Sequence, residues 1–231
     1  MARMTALLGI SHGTADAAGQ HAVAALVAGV TTALPDTVVR LGHVDVQQPD
    51  VAAALSALTA EPVTLVPLLL SAGYHVHVDL RRAIAHRADV TITAALGPDD
   101  RLVDVLVARL VEAGYRDGAD AEIILAVAGS SDERANEDCR ETARLLAGRL
   151  GRPVRIAFLA AAEPRVREAV ARASAGGHRV FVATYLLAPG YFHDLAVREA
   201  PGAIVARPLL DADPPAAALV DLVVARFRST A

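Results

Sequence analysis

Two of the eight histidines in this chain stand in surroundings that suit chemistry. His12 follows the apolar run Leu7-Leu8-Gly9-Ile10 and sits in Ser11-His12-Gly13-Thr14. His75 follows Val66-Pro67-Leu68-Leu69-Leu70 and sits in Gly73-Tyr74-His75-Val76-His77-Val78-Asp79. Neutral imidazoles offer nitrogen ligands to Fe²⁺, Co²⁺ or Ni²⁺. Because they titrate near neutrality, they also accept protons from a bound substrate. His77 would share a face with His75 in extended chain and is an optional third ligand, or else a solvated helix start. Asp79 is placed to orient His75 from outside the ligand set, although a carboxylate also suits the start of a helix. Ser11, Gly13, Thr14, Gly73 and Tyr74 complete the candidate substrate contacts, with capping the other use of the two hydroxyls. His21, His43, His86 and His178 lack paired context and read as surface or element-end residues.

The elements between the two imidazoles must bring them to one place. Apolar strand-like runs alternate with helix-like segments from end to end, which predicts an α/β protein. Strands are expected near 4–11, 37–44, 62–70 and 89–95, and helices near 16–30, 50–59, 77–86 and 99–113. The second half predicts strands near 121–128, 153–159, 178–187 and 203–207, with helices near 132–150, 163–175 and 214–228. Gly and charge replace the apolar pattern around 114–119, dividing the chain into 1–115 and 119–231. His12 and His75 then lie beyond the C-terminal ends of the first and third strands, where open α/β sheets bind ligands.

The halves also match residue by residue. A shift of 117 lays Leu102-Val103-Asp104 on Leu219-Val220-Asp221, and Val107-Ala108-Arg109 on Val224-Ala225-Arg226. Gly73-Tyr74 falls on Gly190-Tyr191, and Leu7-Leu8-Gly9-Ile10 on Ile124-Leu125-Ala126-Val127, while between these blocks small indels slip the shift to 115, where Pro49 and Val51 meet Pro164 and Val166. In that register His12 is matched by Gly129 and His75 by Phe192, so both imidazoles belong to the first half alone. The expectation is a duplicated α/β unit. It gives two similar lobes around a cleft, each a mainly parallel four-stranded sheet flanked by helices, the second lobe a degenerate repeat. His193 would face the cleft from that second lobe and joins the candidate substrate contacts.

Composition narrows the partners. Net charge is -4 with acids and bases interspersed, and no basic stripe is paired with aromatics, which argues against nucleic acid. No apolar stretch approaches the ~20 residues of a membrane span, and the first residues lack the layout of a signal peptide. The single cysteine, Cys139, excludes an internal disulfide and a chain-encoded Cys₄ cluster. These features predict a cytoplasmic protein. All 22 basic side chains are Arg. Arginine grips carboxylates bidentately, which would suit an acidic ligand, and codon bias explains the usage as well.

The segments Leu8–Thr14 and Val66–Leu80 resemble the signature of the class II chelatases that act on sirohydrochlorin. Val44-Asp45-Val46-Gln47-Gln48-Pro49 is similar to the acidic segment that follows the second strand in that family. Three positions depart from the pattern: Thr14 stands where Ser is usual, Arg81 where Pro is usual, and His77 at a variable position. The resemblance implies that His12 and His75 are the metal-binding, proton-accepting pair. It also implies a divalent ion (Co²⁺, Fe²⁺ or Ni²⁺) as substrate, no permanently bound cofactor, and a tetrapyrrole partner for cobalamin or sirohaem synthesis. The same resemblance implies Arg81, Arg82 and Arg87 as the residues that would steer such an acidic ligand, a solvated helix face being the other reading. Two fused lobes imply a monomer. A non-catalytic carrier of metal or tetrapyrrole would use the same two histidines. A histidine phosphatase would not, because it needs Arg before its strand-end His-Gly, and Ser11 stands there.

Overall fold

The computed structural model describes residues 5–58, 62–71, 73, 78, 80–118 and 120–229. Strand β1 (Ala6–Ser11) is buried along its whole length, as a strand covered on both faces must be. It is flanked by β2 (Val39–His43) and β3 (Val63–Pro67), with β4 (Val90–Ile92) outside β3, in the order β2-β1-β3-β4. Strands β5 (Ala121–Val127), β6 (Val154–Phe158), β7 (Arg179–Tyr185) and β8 (Ile204–Val205) repeat the arrangement as β6-β5-β7-β8. Every strand pair is parallel. Parallel neighbours need crossovers, which are supplied by α1 (Ala17–Ala33), α2 (Val51–Ser56) and α3 (Leu80–Ala83) in the first half. The second half uses α5 (Glu133–Leu150), α6 (Val166–Ser174) and α7 (Tyr191–Glu199), while α4 (Asp100–Glu112) and α8 (Ala217–Arg228) follow the last strand of each half.

Several expected elements shift. The third strand stops at Pro67, whose missing N–H weakens any further ladder. The fourth is only three residues long, and the helix expected over 77–86 is α3 at 80–83 among the described residues. Helix α7 was not anticipated, because its N-cap is Gly190 with no side-chain cap bond and its first residues are aromatic, which gives no start signal.

Register corrects the internal alignment. Leu7 pairs with Val39 in the first sheet and Ile123 with Val154 in the second, so Leu7 corresponds to Ile123 and not to Ile124. The strand-end loops agree: Asp45 N–H donates to the His12 carbonyl at 2.9 Å, and Ala160 N–H donates to the Ala128 carbonyl at 2.8 Å. The counterpart of His12 is therefore Ala128, not Gly129. Small indels before β2 and before β3 move the shift to 115 for Val39 to Val154 and to 117 for Val63 to Val180. A one-residue slip matters in a strand, since it exchanges the two faces. The conclusion that the imidazole occurs in one half only is unchanged.

The halves exchange a helix. α4 packs against β7 of the second sheet and against α5, whereas α8 packs against β3 of the first sheet and against α1. One apolar cluster therefore runs through both halves, from Leu26 and Leu106 to Leu146 and Leu222. Smaller clusters cover the outer faces, with Ile10, Leu55 and Leu65 on one side and Ile124, Val170 and Ala196 on the other. The repeated Val-Ala-Arg now has a physical reason. Arg109 on α4 donates to the Leu209 carbonyl at 3.1 Å and lies 3.3 Å from Asp211. Arg226 on α8 donates to the carbonyls of Ala95 (2.8 Å) and Leu96 (2.9 Å) and lies 3.4 Å from Asp99. Each exchanged helix carries one arginine that clasps the segment after the last strand of the opposite half.

Candidate active site

β1 ends at the buried Ser11, and the next residue holds the exposed His12 side chain just outside the sheet. Gly13 takes φ +95°, and a Cβ there would overlap the Asp45 carbonyl oxygen, so glycine lets the His12 turn lie flat on the loop after β2. That contact is zipped by Val44 N–H donating to the Ser11 carbonyl and Asp45 N–H to the His12 carbonyl, both at 2.9 Å. The zipper sets the exposed residue Asp45 beside the His12 turn, its Oδ1 accepting from Val46 N–H at 2.8 Å. Asp45 was missed as a site candidate in the sequence. Its counterpart is Ala160, so the internal comparison, run in the right register, flags it.

Beneath His12 lies a second polar feature of the first half. Ser11 Oγ and His43 Nδ1 share a 2.8 Å hydrogen bond in the interior, where each residue is 4% exposed. At the same register positions the second half has Val127 and Phe158. His43 is thus at the end of β2 but is not a surface residue. Burial lowers its pKa from the ordinary 6.5, which favours the neutral ring. Ser11, expected among the substrate contacts, has its hydroxyl turned inward to His43. Thr14, expected there as well, ties the start of α1: its N–H donates to Gln47 Oε1 at 2.9 Å, its hydroxyl accepts from Asp16 N–H at 3.1 Å, and its carbonyl accepts from Gln20 Nε2 at 2.8 Å. Both hydroxyls support the turn.

Tyr74, His75, His77 and Asp79 lie outside the described residues. The chain leading to them is held firmly. Leu68 N–H donates to the Ile10 carbonyl at 2.7 Å, and the Tyr185 hydroxyl reaches across from β7 to donate to the Leu70 carbonyl at 2.9 Å. Gly73 rests on the other half, since a Cβ there would stand 3.3 Å from Ala135 Cβ at the start of α5. Gly190 does the reciprocal thing, 3.2 Å from Thr14 Oγ1 by the same construction. The strand-end loops of the two halves therefore meet.

The remaining candidates divide. Arg81 and Arg82 are exposed on α3. Arg87 is engaged by the Leu55 and Leu58 carbonyls and by Asp89, so it braces the first half and is not available for steering. His193 sits in the first turn of α7, half-buried, with Nε2 buried and without a hydrogen-bond partner among the described residues. His21 and His86 are exposed, and His178 pairs with Asp120 at 2.8 Å. Among the described residues no three His, Cys, Asp or Glu side chains gather as a metal site, and none of their helices is long and apolar enough to cross a membrane.

The family model CbiX matches residues 6–113 and again residues 122–211, one match over each sheet. The chain belongs to the CbiX family. The resemblance to class II chelatases read from the His12 and Gly73–Leu80 segments therefore stands, in its two-lobed long form. The sirohydrochlorin ferrochelatase of Priestia megaterium is 28% identical over 198 residues, which cover 81% of this chain and 74% of that protein. SirB from Bacillus subtilis, solved with Fe³⁺, superposes with a TM-score of 0.83 at 22% identity, covering 99% of this chain and 96% of SirB. A cobalt complex of SirB from Bacillus subtilis subspecies spizizenii gives 0.78 at 20% identity, over 99% and 95% of the two chains. These superpositions establish the α/β fold with its two all-parallel sheets.

Proposed function

We propose that this CbiX-family protein is a metal chelatase. It inserts a divalent ion, Fe²⁺ or Co²⁺ with Ni²⁺ also admissible, into sirohydrochlorin or a closely related tetrapyrrole. One observation carries the reading. A duplicated scaffold holds Ser11, His12, His43 and Asp45 at one set of strand ends, and Val127, Ala128, Phe158 and Ala160 at the matching positions of the other. Packing alone gives no reason for such a one-sided polar set. The ferrochelatase relative and the iron- and cobalt-bound neighbours support the choice of reaction.

In this reading the metal-free macrocycle lies in the cleft between the halves. His12 and His75 replace water on the incoming ion, and pyrrole nitrogens then replace the histidines. Insertion releases two pyrrole protons as two metal–nitrogen bonds form beside the ring's other two nitrogens. A neutral imidazole is the acceptor for the first proton. Asp45 adds negative charge at the loop zipped to the His12 turn, which favours the arriving cation. The buried Ser11–His43 pair holds the turn that presents His12. One chain supplies both halves, so a monomer suffices, and the product would serve sirohaem or cobalamin synthesis.

The test is anaerobic mixing of protein, sirohydrochlorin and Fe²⁺ or Co²⁺, followed by absorbance. Wild type should accelerate insertion over the spontaneous rate with multiple turnovers. His12→Ala and His75→Ala should each lose about 100-fold or more, the usual worth of a positioned proton acceptor. Asp45→Asn keeps the Val46 N–H acceptor but not the charge, and should slow insertion about tenfold, or about 1.4 kcal/mol. Stoichiometric uptake without turnover would mark a carrier instead.

A further inference from the structure

The strand ends of the second half enclose a cavity of about 350 Å³, lined by Phe158, Leu159, Arg165, Tyr191, Phe192 and Glu199 among others. It occupies the position that the polar set occupies in the first half. The isolated bridges His43–Asp50 and Phe158–Arg165 are equivalent, so a carboxylate in one half is replaced by a guanidinium in the other. Phe192 matches His75 in the sequence at a shift of 117, and Phe158 stands where the first half has His43. One set of strand ends is furnished for a cation. The other is furnished for a flat ring that bears carboxylates, since aromatic faces stack on such rings and arginine grips the acid.

Three of the chain's four Phe and four Tyr line or floor this one cavity. Tyr191 is 68% exposed and Phe192 37%, packed edge-to-face on each other at 5.4 Å. Core packing does not account for exposed aromatics in a chain so poor in them. Arg165 is half-buried, and its Nη2 donates to the Leu159 carbonyl at 2.6 Å, which fixes the guanidinium at the rim. The one acid on the wall, Glu199, is engaged by Arg167 at 2.8 Å. Gly190, immediately before Tyr191, abuts Thr14, two residues from His12, so this wall adjoins the His12 turn of the first half.

We propose that this cavity is the recognition site for one edge of the tetrapyrrole: Arg165 binds a peripheral carboxylate, and Tyr191 and Phe192 carry the adjoining ring. The inference rests on the proposed chelatase reading and names how its substrate is held. At about 350 Å³ the cavity lies at the low end of small-molecule sites, about 300–1,000 Å³. It holds a pyrrole with its acid arms and leaves the ring centre to the histidines.

Binding and insertion are measured separately. Metal-free sirohydrochlorin is titrated anaerobically into wild type, Arg165→Gln, Tyr191→Ala/Phe192→Ala and the control Arg144→Gln, with thermal unfolding as the folding check. The expected result is about tenfold weaker binding for Arg165→Gln, and at least as much for the aromatic pair, whose exposed side chains can be removed without opening the core. Arg144→Gln, which removes an exposed α5 guanidinium that does not line the cavity, should bind as wild type. In turnover the cavity variants should raise KM and keep kcat. Raising the salt should weaken wild-type binding and leave Arg165→Gln nearly unchanged. Affinity within twofold of wild type for both folded cavity variants overturns the proposal. If the variants lose binding while wild type never accelerates insertion, the recognition site stands and the chelatase reading fails.

Discussion

At the scale of single residues, the Ser11–His43 pair separates support from chemistry. Replacing His43 by Phe, the residue of the other half, leaves the Ser11 hydroxyl buried without its partner and should cost about 1–3 kcal/mol. Adding Ser11→Val rebuilds the apolar pair of the second half and should recover most of that loss in urea unfolding. The pair also makes stability pH-dependent. Folding lowers the His43 pKa below its ordinary 6.5, so the unfolded chain binds the proton more readily. Stability contributed at neutral pH is then lost as the pH falls through about 6.5 toward the lower folded value. His43→Phe/Ser11→Val should flatten that part of the profile, and an unchanged slope would place the titration elsewhere. The sequence showed His43 only as a histidine at a strand end. Its burial became visible with the register, which sets it beside Ser11.

At the scale of elements, the strand-end turns are shaped by backbone contacts. Gly13 lies against the Asp45 carbonyl, and Val46 holds φ +66°, a conformation that costs a β-branched residue about 1–3 kcal/mol. Gly13→Ala should lower stability by more than about 2 kcal/mol, the range of substitutions with a named steric cause, and abolish insertion with it. Tyr185→Phe tests the far side of the site more gently. It removes the donor to the Leu70 carbonyl and should cost about 1–3 kcal/mol. It should also lower kcat more than it raises KM, because it loosens the chain that leads to His75 and leaves the recognition cavity intact. The apolar runs of β1, β3, β5 and β7 were legible because a parallel strand covered on both faces must be apolar throughout. Helix α7 was not, since nothing in Gly190-Tyr191-Phe192 caps a helix and its buried anchor, Ala196, meets its apolar cluster only in the folded second half.

At the scale of the whole molecule, the exchanged helices make the halves one folding unit. Residues 1–115 expressed alone lack α8, which covers β3 and α1, and should remain unfolded by circular dichroism and amide exchange. Co-expression with 119–231 should restore both halves together. Arg109→Ala removes the cation from a clasp in which Arg109 and Asp211 are each under a tenth exposed, and should cost about 3–5 kcal/mol. Arg226→Ala should cost less, because that pair is more exposed. Acid should open the same junction. The hydrogen bond from Arg101, helped by Arg226, holds Asp99 below its ordinary 3.8. Its stabilisation is present above that value and is lost as the pH falls through the lower folded one. Asp99→Asn should remove that step.

The amino-acid sequence by itself determined the alternation of strand and helix, the duplication, the family and the two lead histidines. Those properties are local or periodic: apolar runs, turn residues, and short motifs whose order survives without coordinates. Only the tertiary structure decided that α4 and α8 change places, that Ala128 and not Gly129 answers His12, that Ser11 faces inward, and that Asp45 lies on the loop zipped to the His12 turn. Each depends on contacts between residues distant in the chain, and one-residue indels in loops shift such contacts while leaving the apolar pattern unaltered.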